Sequence, residues 1–470
     1  MNKFNLAFLS LFILSGLNAQ SNWTLQQCVE HALKHNISLK QADITSQISE
    51  LNYEQSIAAR LPSLNAGANH TYNIGRTIDR YTNTFANSNV LSQNFYISSQ
   101  VTLWSGMSQY NSIKQNQYSY LASKENFEQQ KNDLSLNVTT SFLQVVYNRE
   151  LMKVAEFQVK ITAQQLERTQ KLVEAGSVAK STAFDIKAQL ANDEYTFTST
   201  QNNYNLSLLG LKQLLNLDSL NNFDIEKPDL DVASGDLLNK NVSDIYQTAL
   251  KNQHNIKSAE YSMMGSEKGL AAARGRVSPT LSLSGSIGTG YSGLAKEVTG
   301  TQYVGNSPIG YTSAFDTVYA PNFEALTRPK AFADQFKDNV NKSIGFTLSI
   351  PLFNGLQNYT AIKTAKLQML NAKYTYDLRK QQLYKTIAQA YADAQASLNK
   401  FAAAKSALSA AEEAFNYTQQ KFNVGAISAF DFNSAKNRLL KSQADMLNAK
   451  FDYVFKLKVL DFYQGKPLAF

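Results

Sequence analysis

Two histidines have the spacing that a metal site would need. His31 and His35 lie four positions apart, so a helix would place both rings on one face. The sequence contains only four histidines and one cysteine, and none of the others completes a cluster with metal-site spacing. We therefore interpret the pair as neighbours on an exposed helix end, and we expect the protein to hold no metal ion and no cofactor.

Motifs for catalysis and for nucleic-acid binding do not occur in the sequence. It has no phosphate-binding loop, no G-x-S-x-G nucleophile turn and no pair of aspartates tied to a plausible cleft. The net charge is +8, but the 45 Lys and Arg residues are scattered along the chain instead of forming one basic patch. We expect neither an enzyme nor a protein that binds nucleic acid.

The first 19 residues have the features of an export signal. Lys3 precedes an apolar run from Leu6 to Leu17, and Leu17-Asn18-Ala19 is the predicted cleavage site. Beyond it, no stretch approaches the roughly 18 apolar residues of a membrane-spanning helix. No cysteine follows the predicted cut directly, so we expect no N-terminal lipid, and we expect Cys28 to be a packed thiol.

The rest of the chain contains two copies of one unit. Pro62 and Pro279 sit in similar segments 217 positions apart, whereas Gly176 and Gly425 are 249 positions apart. The offset changes where the second copy has a longer insert, and each copy is predicted to run helix, strand, strand, long helix, helix. The predicted divisions are a first repeat at 20–216, an equatorial segment at 217–242, a second repeat at 243–463 and a tail at 464–470.

Very long helices are predicted in both copies. The 69 residues between Gly106 and Gly176 contain neither proline nor glycine, and the same holds for the 69 residues between Gly355 and Gly425. At about 1.5 Å per residue, each helix would be on the order of 100 Å long. Shorter helices, at 24–60 and after Ser181, are predicted to stack end to end along the long one.

A heptad pattern runs along each long helix. In the second copy apolar and mostly large residues recur every seven positions from Ile387 to Phe422, and small residues follow three positions after the first five of them. The first copy repeats this pattern from Val138 to Val173. A seam of large residues with small residues between them is typical of closely packed coiled-coil helices.

Four short segments alternate between apolar and small polar residues, as strands do. They are Leu64–Ile74, Phe95–Leu103, Leu281–Tyr291 and Ile344–Leu352. Their length of about 9–11 residues fits tilted strands that cross an outer membrane. A soluble β-sandwich is the alternative, although the segments are few for one.

Four strands cannot close a membrane barrel, because unpaired strand edges are too costly in lipid. Membrane barrels begin at about eight strands, so two chains could supply eight strands and three chains twelve. An eight-stranded barrel is filled by its own side chains and would not conduct. We therefore expect a homotrimer.

These features together resemble the TolC family of outer-membrane efflux proteins. The most telling motifs are Ile350–Gly355, which closes the last strand, and Phe422-Asn423-Val424-Gly425, which opens the last helix turn. The resemblance implies a mainly α chain that forms a trimeric 12-stranded barrel in outer-membrane lipid, continued by a periplasmic α-helical coiled-coil barrel. It also implies a periplasmic adaptor (membrane fusion) protein and an inner-membrane pump of the RND type as partners. The segments 75–92 and 292–338 would be outward-facing loops.

The resemblance also implies a ring of carboxylates at the periplasmic entrance. Asp431 lies six residues after Gly425, where the family has such an aspartate, and Ser434 stands where a second one is common. Asp185 of the first copy lies nine residues after Gly176, which is further than usual. Three symmetric carboxylates at a constriction would attract cations. The alternative is that Asp431 only caps a helix.

Two further groups at the turns follow from the resemblance. Phe422 and Ile427 stand at the positions of a polar gate latch, which neither side chain can form, so the closed state must be held in another way. The candidate adaptor-docking tips, which could equally be helix caps, are Gly176, Ser177, Val178, Val424, Gly425 and Ala426.

The sequence therefore predicts a passive outer-membrane conduit for small molecules, driven by its partner pump. A conduit for secreted proteins is the alternative with the same fold. A coiled-coil scaffold of the cell envelope without a pore is the alternative from a different class.

Overall fold

The computed structural model describes residues 22–79, 81–87, 89–217, 223–228 and 241–466, and the predicted signal peptide lies outside these ranges. Their helices are α1 Leu25–His35, α2 Ile37–Ala58, α3 Ser108–Glu174, α4 Lys180–Leu214, α5 Val242–Asn252, α6 His254–Gly275, α7 Phe332–Asp338, α8 Gln357–Asn423 and α9 Ala429–Tyr463. Their strands are β1 Asn22–Trp23, β2 Ser63–Asn73, β3 Arg76–Asp79, β4 Thr84–Asn87, β5 Val90–Trp104, β6 Asp224–Ile225, β7 Thr280–Ser292, β8 Lys296–Tyr311, β9 Thr317–Pro329 and β10 Asn341–Ser349.

The chain divides into two compact units. The helical unit comprises the described residues within Met1–Glu50, Tyr118–Met263 and Asn371–Phe470. The sheet unit comprises Leu51–Gln117 and Met264–Leu370. Among the described residues, no helix is both long and apolar enough to span a membrane.

The helices confirm the duplication, because each main helix of the first copy has a counterpart of the same length. Helices α3 and α8 both have 67 residues, and α4 and α9 both have 35. The earlier helices α1 and α5 both have 11 residues, and α2 and α6 both have 22. The first pairs are offset by 249 positions and the second pairs by 217, as the sequence motifs predicted.

The first predicted helix is wrong in one respect, since it is two helices. Asn36 has an extended backbone and ends α1, and its side-chain oxygen accepts a hydrogen bond from the Leu39 amide at 3.2 Å, which starts α2. The Asn36 amide group also donates to the Leu214 carbonyl at 3.4 Å. This contact places the end of α4 beside the start of α2, as the predicted end-to-end stacking requires in the first copy.

Burial confirms the heptad seam along both long helices. Val138 and Val145 are fully buried on α3, and Ile387 and Ala394 are fully buried on α8. Thr162, one of the small companion positions, is fully buried as well. Each long helix therefore packs against its neighbours through the residues of its heptad pattern.

The core nearest the start of the chain includes the lone cysteine. Cys28 is completely buried in a cluster with Phe142 and Ile225, and β1 pairs with β6 beside it. Burial raises the pKa of the Cys28 thiol to about 12. The thiol is therefore an inert packing group, as predicted.

The four predicted strands form one antiparallel sheet in the order β10-β7-β5-β2. Ala66 pairs with Ile97, and Ile97 pairs with Ile287, so these apolar side chains share one face. Phe346 pairs with Leu283 on the same face. The predicted alternation is thus confirmed, and within the described residues β2 and β10 each pair with only one strand.

The two segments predicted as loops contain further structure. Strands β3 and β4 form a short hairpin within 75–92, and β8 and β9 form a long one within 292–338, followed by α7. The register of the long hairpin shifts at Gly300, Gly305 and Gly310. Each such bulge resets the period of two, which hid the strands from a search for alternation.

Candidate functional site at the helix turns

Both turns that join the long helices to the short ones are closed by a glycine in the left-handed region. Gly176 has φ of +75° and Gly425 has φ of +77°. The amide after each glycine donates back into the helix, from Ser177 to the Leu172 carbonyl at 2.9 Å and from Ala426 to the Lys421 carbonyl at 2.8 Å. Both glycines therefore cap helices.

The turn residues are open to solvent. Ser177, Val424 and Ala426 are exposed, Val178 is half-buried, and a Cβ added to either glycine would meet no atom within 4 Å. Among the described residues nothing covers these surfaces, and adaptor docking at the six tip residues stays a prediction.

Asp431 takes part in the cap at the start of α9, whose N-cap residue is Ser428. Its backbone amide donates to the Ser428 hydroxyl at 3.2 Å, and that hydroxyl donates to the Asp431 carboxylate at 2.7 Å. The carboxylate also lies in the first helical turn, where the helix dipole favours negative charge. The capping interpretation is therefore confirmed, and a role in a carboxylate ring stays a prediction that is compatible with it, because Asp431 is exposed.

The equal helix lengths explain the unusual spacing of Asp185. At the offset of 249 positions that relates α4 to α9, the counterpart of Asp185 is Ser434, while the counterpart of Asp431 is Thr182. Asp185 and Ser434 are both exposed. Each copy therefore carries one carboxylate, at different members of the same pair of positions three residues apart.

The positions of the expected latch are apolar and packed. The Phe422 ring stacks on the Phe432 ring with centroids 4.7 Å apart. The Phe415 ring also packs against Phe432, with centroids 5.5 Å apart. Phe432 is buried and Ile427 is half-buried. The second turn is therefore held by aromatic packing on its own helices.

An arginine joins the ends of the two long helices. The Arg168 guanidinium donates to the Asn423 carbonyl at 2.9 Å and to its side-chain oxygen at 2.5 Å. Asn423 is the last residue of α8 and Arg168 lies near the end of α3. A cation at a helix C-terminus is favourable, so this contact ties the two copies together next to their turns.

A buried ion pair ties the copies together further along the helices. Lys436 of α9 is 1% exposed, and its ammonium donates to Asp193 of α4 at 3.0 Å and to the Thr162 hydroxyl of α3 at 2.6 Å. Asp193 also accepts hydrogen bonds from Gln158 at 3.3 Å and Gln189 at 2.8 Å. Three helices from two copies thus meet at one carboxylate.

The surroundings keep this pair ionised. Burial alone would raise the pKa of the Asp193 carboxyl, but hydrogen bonds from Thr162 and Lys436 and the charge of Lys436 together lower it below its usual 3.8. Burial lowers the pKa of the Lys436 ammonium below 10.5, although Asp193 opposes the shift. A buried charge that keeps all its partners is tolerated, whereas one that loses a partner is costly.

Sequence reasoning missed both of these cross-copy contacts. Arg168, Asp193 and Lys436 lie on helices rich in polar residues, and nothing in their spacing singles them out. The counterpart of Lys436 in the first copy is Lys187, which is exposed. The only available signal was Thr162, a polar residue at a seam position.

The histidine pair is a packing feature of α1. The His31 and His35 rings stack with centroids 4.3 Å apart, and Trp23 packs edge-on against His31 at 5.1 Å. Burial and the charges of His35 and Lys34 lower the pKa of His31. Across the described part of the chain, no group of three or more His, Cys, Asp or Glu side chains could hold a metal ion.

The fold is that of outer-membrane channel proteins. The structure of the outer membrane protein VceC from Vibrio cholerae superposes with a TM-score of 0.75 at 17% identity, covering 95% of this chain and 97% of that one. The fold is therefore a known one, mainly α with a β part.

The chain belongs to the outer membrane efflux protein family. The family model matches residues 28–217 and again residues 245–465. The chain is also similar to Outer membrane protein TolC of Escherichia coli K12, with 22% identity over 95% of this chain and 82% of TolC. It is 25% identical to the alkaline protease secretion protein AprF of Pseudomonas aeruginosa over 26% of each chain. The predicted resemblance is thus confirmed, and the protein is an outer-membrane channel of the efflux and secretion class, not an enzyme.

Proposed function

We propose that the protein is the outer-membrane channel of a tripartite efflux system and conducts small molecules passively to the exterior. The observation that carries this proposal is the four-stranded sheet with one apolar face and, within the described residues, only one partner each for β2 and β10. A sheet of this kind is a segment of a barrel wall and cannot stand alone in lipid.

The assembly we propose is a homotrimer. Three chains would join β2 of one to β10 of the next and close a 12-stranded barrel around a passage lined by Asn, Ser and Thr side chains. Twelve strands leave an open lumen, whereas eight strands would be filled by side chains. The helical unit would extend into the periplasm, and the repeats would span 20–216 and 243–463 after cleavage near Ala19, without an N-terminal lipid.

No bond is made or broken by this chain, so the energy for transport comes from its partners. A periplasmic adaptor would dock at the turns around Gly176 and Gly425 and link the channel to an inner-membrane pump of the RND type. Support for this docking is the open space around both turn glycines, where an added Cβ would meet no atom within 4 Å. Opening would separate helix ends that Arg168 and Asn423 now hold together.

The entrance would select for cations. In a trimer Asp431 and Asp185 would each occur three times near the turns, where Ser434 adds a neutral polar group. Like charges gathered at a constriction repel one another and attract cations. Phe422 and Ile427 would take no part in a polar latch, since the closed state is held by the Arg168 contact and by the buried Lys436 pair.

A conduit for secreted proteins is the second candidate, and the local similarity to AprF favours it. A strain that lacks this protein separates the two functions. For small-molecule efflux we expect increased susceptibility to several drugs and an unchanged set of secreted proteins. Loss of one secreted protein with unchanged drug susceptibility would contradict our proposal. A scaffold without a pore would produce no channels when the purified protein is added to planar bilayers.

A further inference from the structure

The sheet unit carries a groove on its apolar face. The groove has a volume of about 570 Å³, and its walls include Ala66 and Ala68 of β2, Ile97 of β5 and Ile287 of β7. The strand register places these four side chains on one face, because they stand opposite one another across paired strands. The two alanines leave the space that larger side chains fill elsewhere on this face.

Helix α7 and the residues after it form the remaining wall of the groove, with Phe336 and Val340. The helix is held in place by Gln335, which is 1% exposed and exchanges hydrogen bonds with the Ser292 backbone at 2.9 and 3.0 Å. The Thr289 hydroxyl also donates to the Phe336 carbonyl at 2.6 Å. The groove is therefore preformed and does not depend on a mobile cover.

A lysine lies on the same sheet face as the groove, one strand beyond the strands that line it. Lys342 of β10 pairs with Ile287 of β7, so its side chain shares the apolar face with a residue that lines the groove. The rest of that strand face is apolar, with exposed Ile344 and Phe346. Within the described residues Lys342 forms no ion pair, whereas Lys330 of the same unit is paired with Asp338 at 2.6 Å.

This combination fits an amphiphile with a negative head. An apolar trough takes a hydrocarbon chain, and a lysine can lie along apolar surface while its ammonium reaches polar surroundings. A neutral apolar ligand would gain nothing from Lys342, and a desolvated lysine without a partner on an apolar face is costly. The cation thus indicates an anionic group beside the hydrocarbon chain.

We propose that the groove binds one acyl chain of an anionic phospholipid, with the lipid phosphate on Lys342. The inference rests on the proposed function, because it requires the apolar sheet face to meet lipid. The site would hold the lipid against the wall of the channel and has no part in conduction.

The test uses the full-length protein with Val340→Trp, reconstituted into bilayers of phosphatidylcholine with a minor fraction of brominated phosphatidylglycerol or brominated phosphatidylcholine. Bromine on the acyl chain quenches nearby tryptophan, and the wild-type protein supplies the background of Trp23 and Trp104. We expect brominated phosphatidylglycerol to quench the introduced tryptophan about fivefold more efficiently per lipid, since a lysine near an anionic surface adds attraction of that order.

Adding Lys342→Glu should abolish the preference, while Lys296→Glu, another exposed lysine of the sheet unit, should leave it intact. Equal quenching by both lipids would overturn the proposal, because the face would then meet lipid without a site. Absence of quenching by either would overturn it too and would mean that another chain covers the groove. Phe336→Trp, at another point of the groove wall, provides the same readout should Val340→Trp fail to fold. Tyr319→Trp lies outside the groove and is the control, because a phosphatidylglycerol preference there would show that the effect is not local and would overturn the proposal.

Single-channel conductance of every variant separates this proposal from the proposed function. Channels that conduct but show no lipid preference would contradict only the lipid site. Protein that forms no channels in any bilayer would contradict the proposed function itself.

Discussion

The two copies of the repeat have matching helices but use their helix turns differently. Helices α3 and α4 match α8 and α9 residue for residue in length, and both turns end in a left-handed glycine. The second copy supplies Lys436, which is buried, and Asp431, which caps its own helix. The first copy supplies Asp193, which accepts a hydrogen bond from Lys436, and Arg168, which donates a hydrogen bond to Asn423 of the second copy. Duplication therefore preserved the backbone while the polar side chains became complementary across copies.

The largest expected effect is on the buried ion pair. Lys436→Met leaves the Asp193 carboxylate buried without its cation, and we expect the loss of about 3–5 kcal/mol of stability, as for other broken buried pairs. The matched change in the first copy, Lys187→Met, should be nearly neutral because Lys187 is exposed. Thermal unfolding of the detergent-solubilised protein, followed by helical circular dichroism, measures both.

The double variant Lys436→Met with Asp193→Leu tests whether the unpaired Asp193 carboxylate causes the loss of stability. Replacing a whole buried pair by apolar residues is often neutral, so most of the lost stability should return. Equal instability of the single and double variants would show that the pair itself contributes little and that packing around Lys436 is responsible.

Acid should weaken the same contact. The folded protein holds the pKa of Asp193 below 3.8, so its carboxylate stabilises the fold above that pH and the stabilisation is lost as the pH falls through the lower, folded value. We expect the unfolding temperature of the wild type to fall more steeply than that of the Lys436→Met, Asp193→Leu variant as the pH is lowered from 3.8 through the folded pKa of Asp193. Parallel curves of unfolding temperature against pH for the two proteins would show that Asp193 does not contribute to the acid sensitivity.

A smaller effect is expected at the link between the ends of α3 and α8. Arg168→Gln weakens the two hydrogen bonds to Asn423, and channels should open more often in planar bilayers. Its counterpart in the second copy is the exposed Tyr417, so Tyr417→Phe serves as the control. An unchanged open probability in Arg168→Gln would show that this link does not hold the closed state.

The smallest expected effect is on block by divalent cations, and it distinguishes the Asp431 carboxylate from that of Asp185. Asp431→Asn keeps an oxygen to accept from Ser428, so it removes charge without removing the helix cap. We expect block by divalent cations to weaken about fivefold, the change that roughly 1 kcal/mol of lost attraction produces. Asp185→Asn, one turn further along its own helix, should weaken it less. Unchanged block in both variants would place these side chains away from the pore.

The sequence predicted the regular parts of the fold because their signals are local. A run of 69 residues without glycine or proline, with a seam of period seven, can only be a very long helix, and α3 and α8 confirm it. Hairpin β8–β9 was hidden because glycine bulges interrupt its alternation. The break at Asn36 was missed because one asparagine can end one helix and start the next.

The parts of the site that depend on long-range contacts could not be predicted. Lys436 and Asp193 are 243 positions apart, and only the packing of α9 against α4 brings them together. The roles that follow from local rules, such as the caps at Gly176, Gly425 and Asp431, were among the interpretations available from sequence.

In the proposed channel, one chain forms only part of the wall. The most direct measurement is the protein mass of the purified, detergent-solubilised particle by light scattering, with detergent subtracted. We expect three chains per particle, which matches a closed barrel of twelve strands. A stable particle of one chain would contradict it, because the free edges of β2 and β10 would then need no partner.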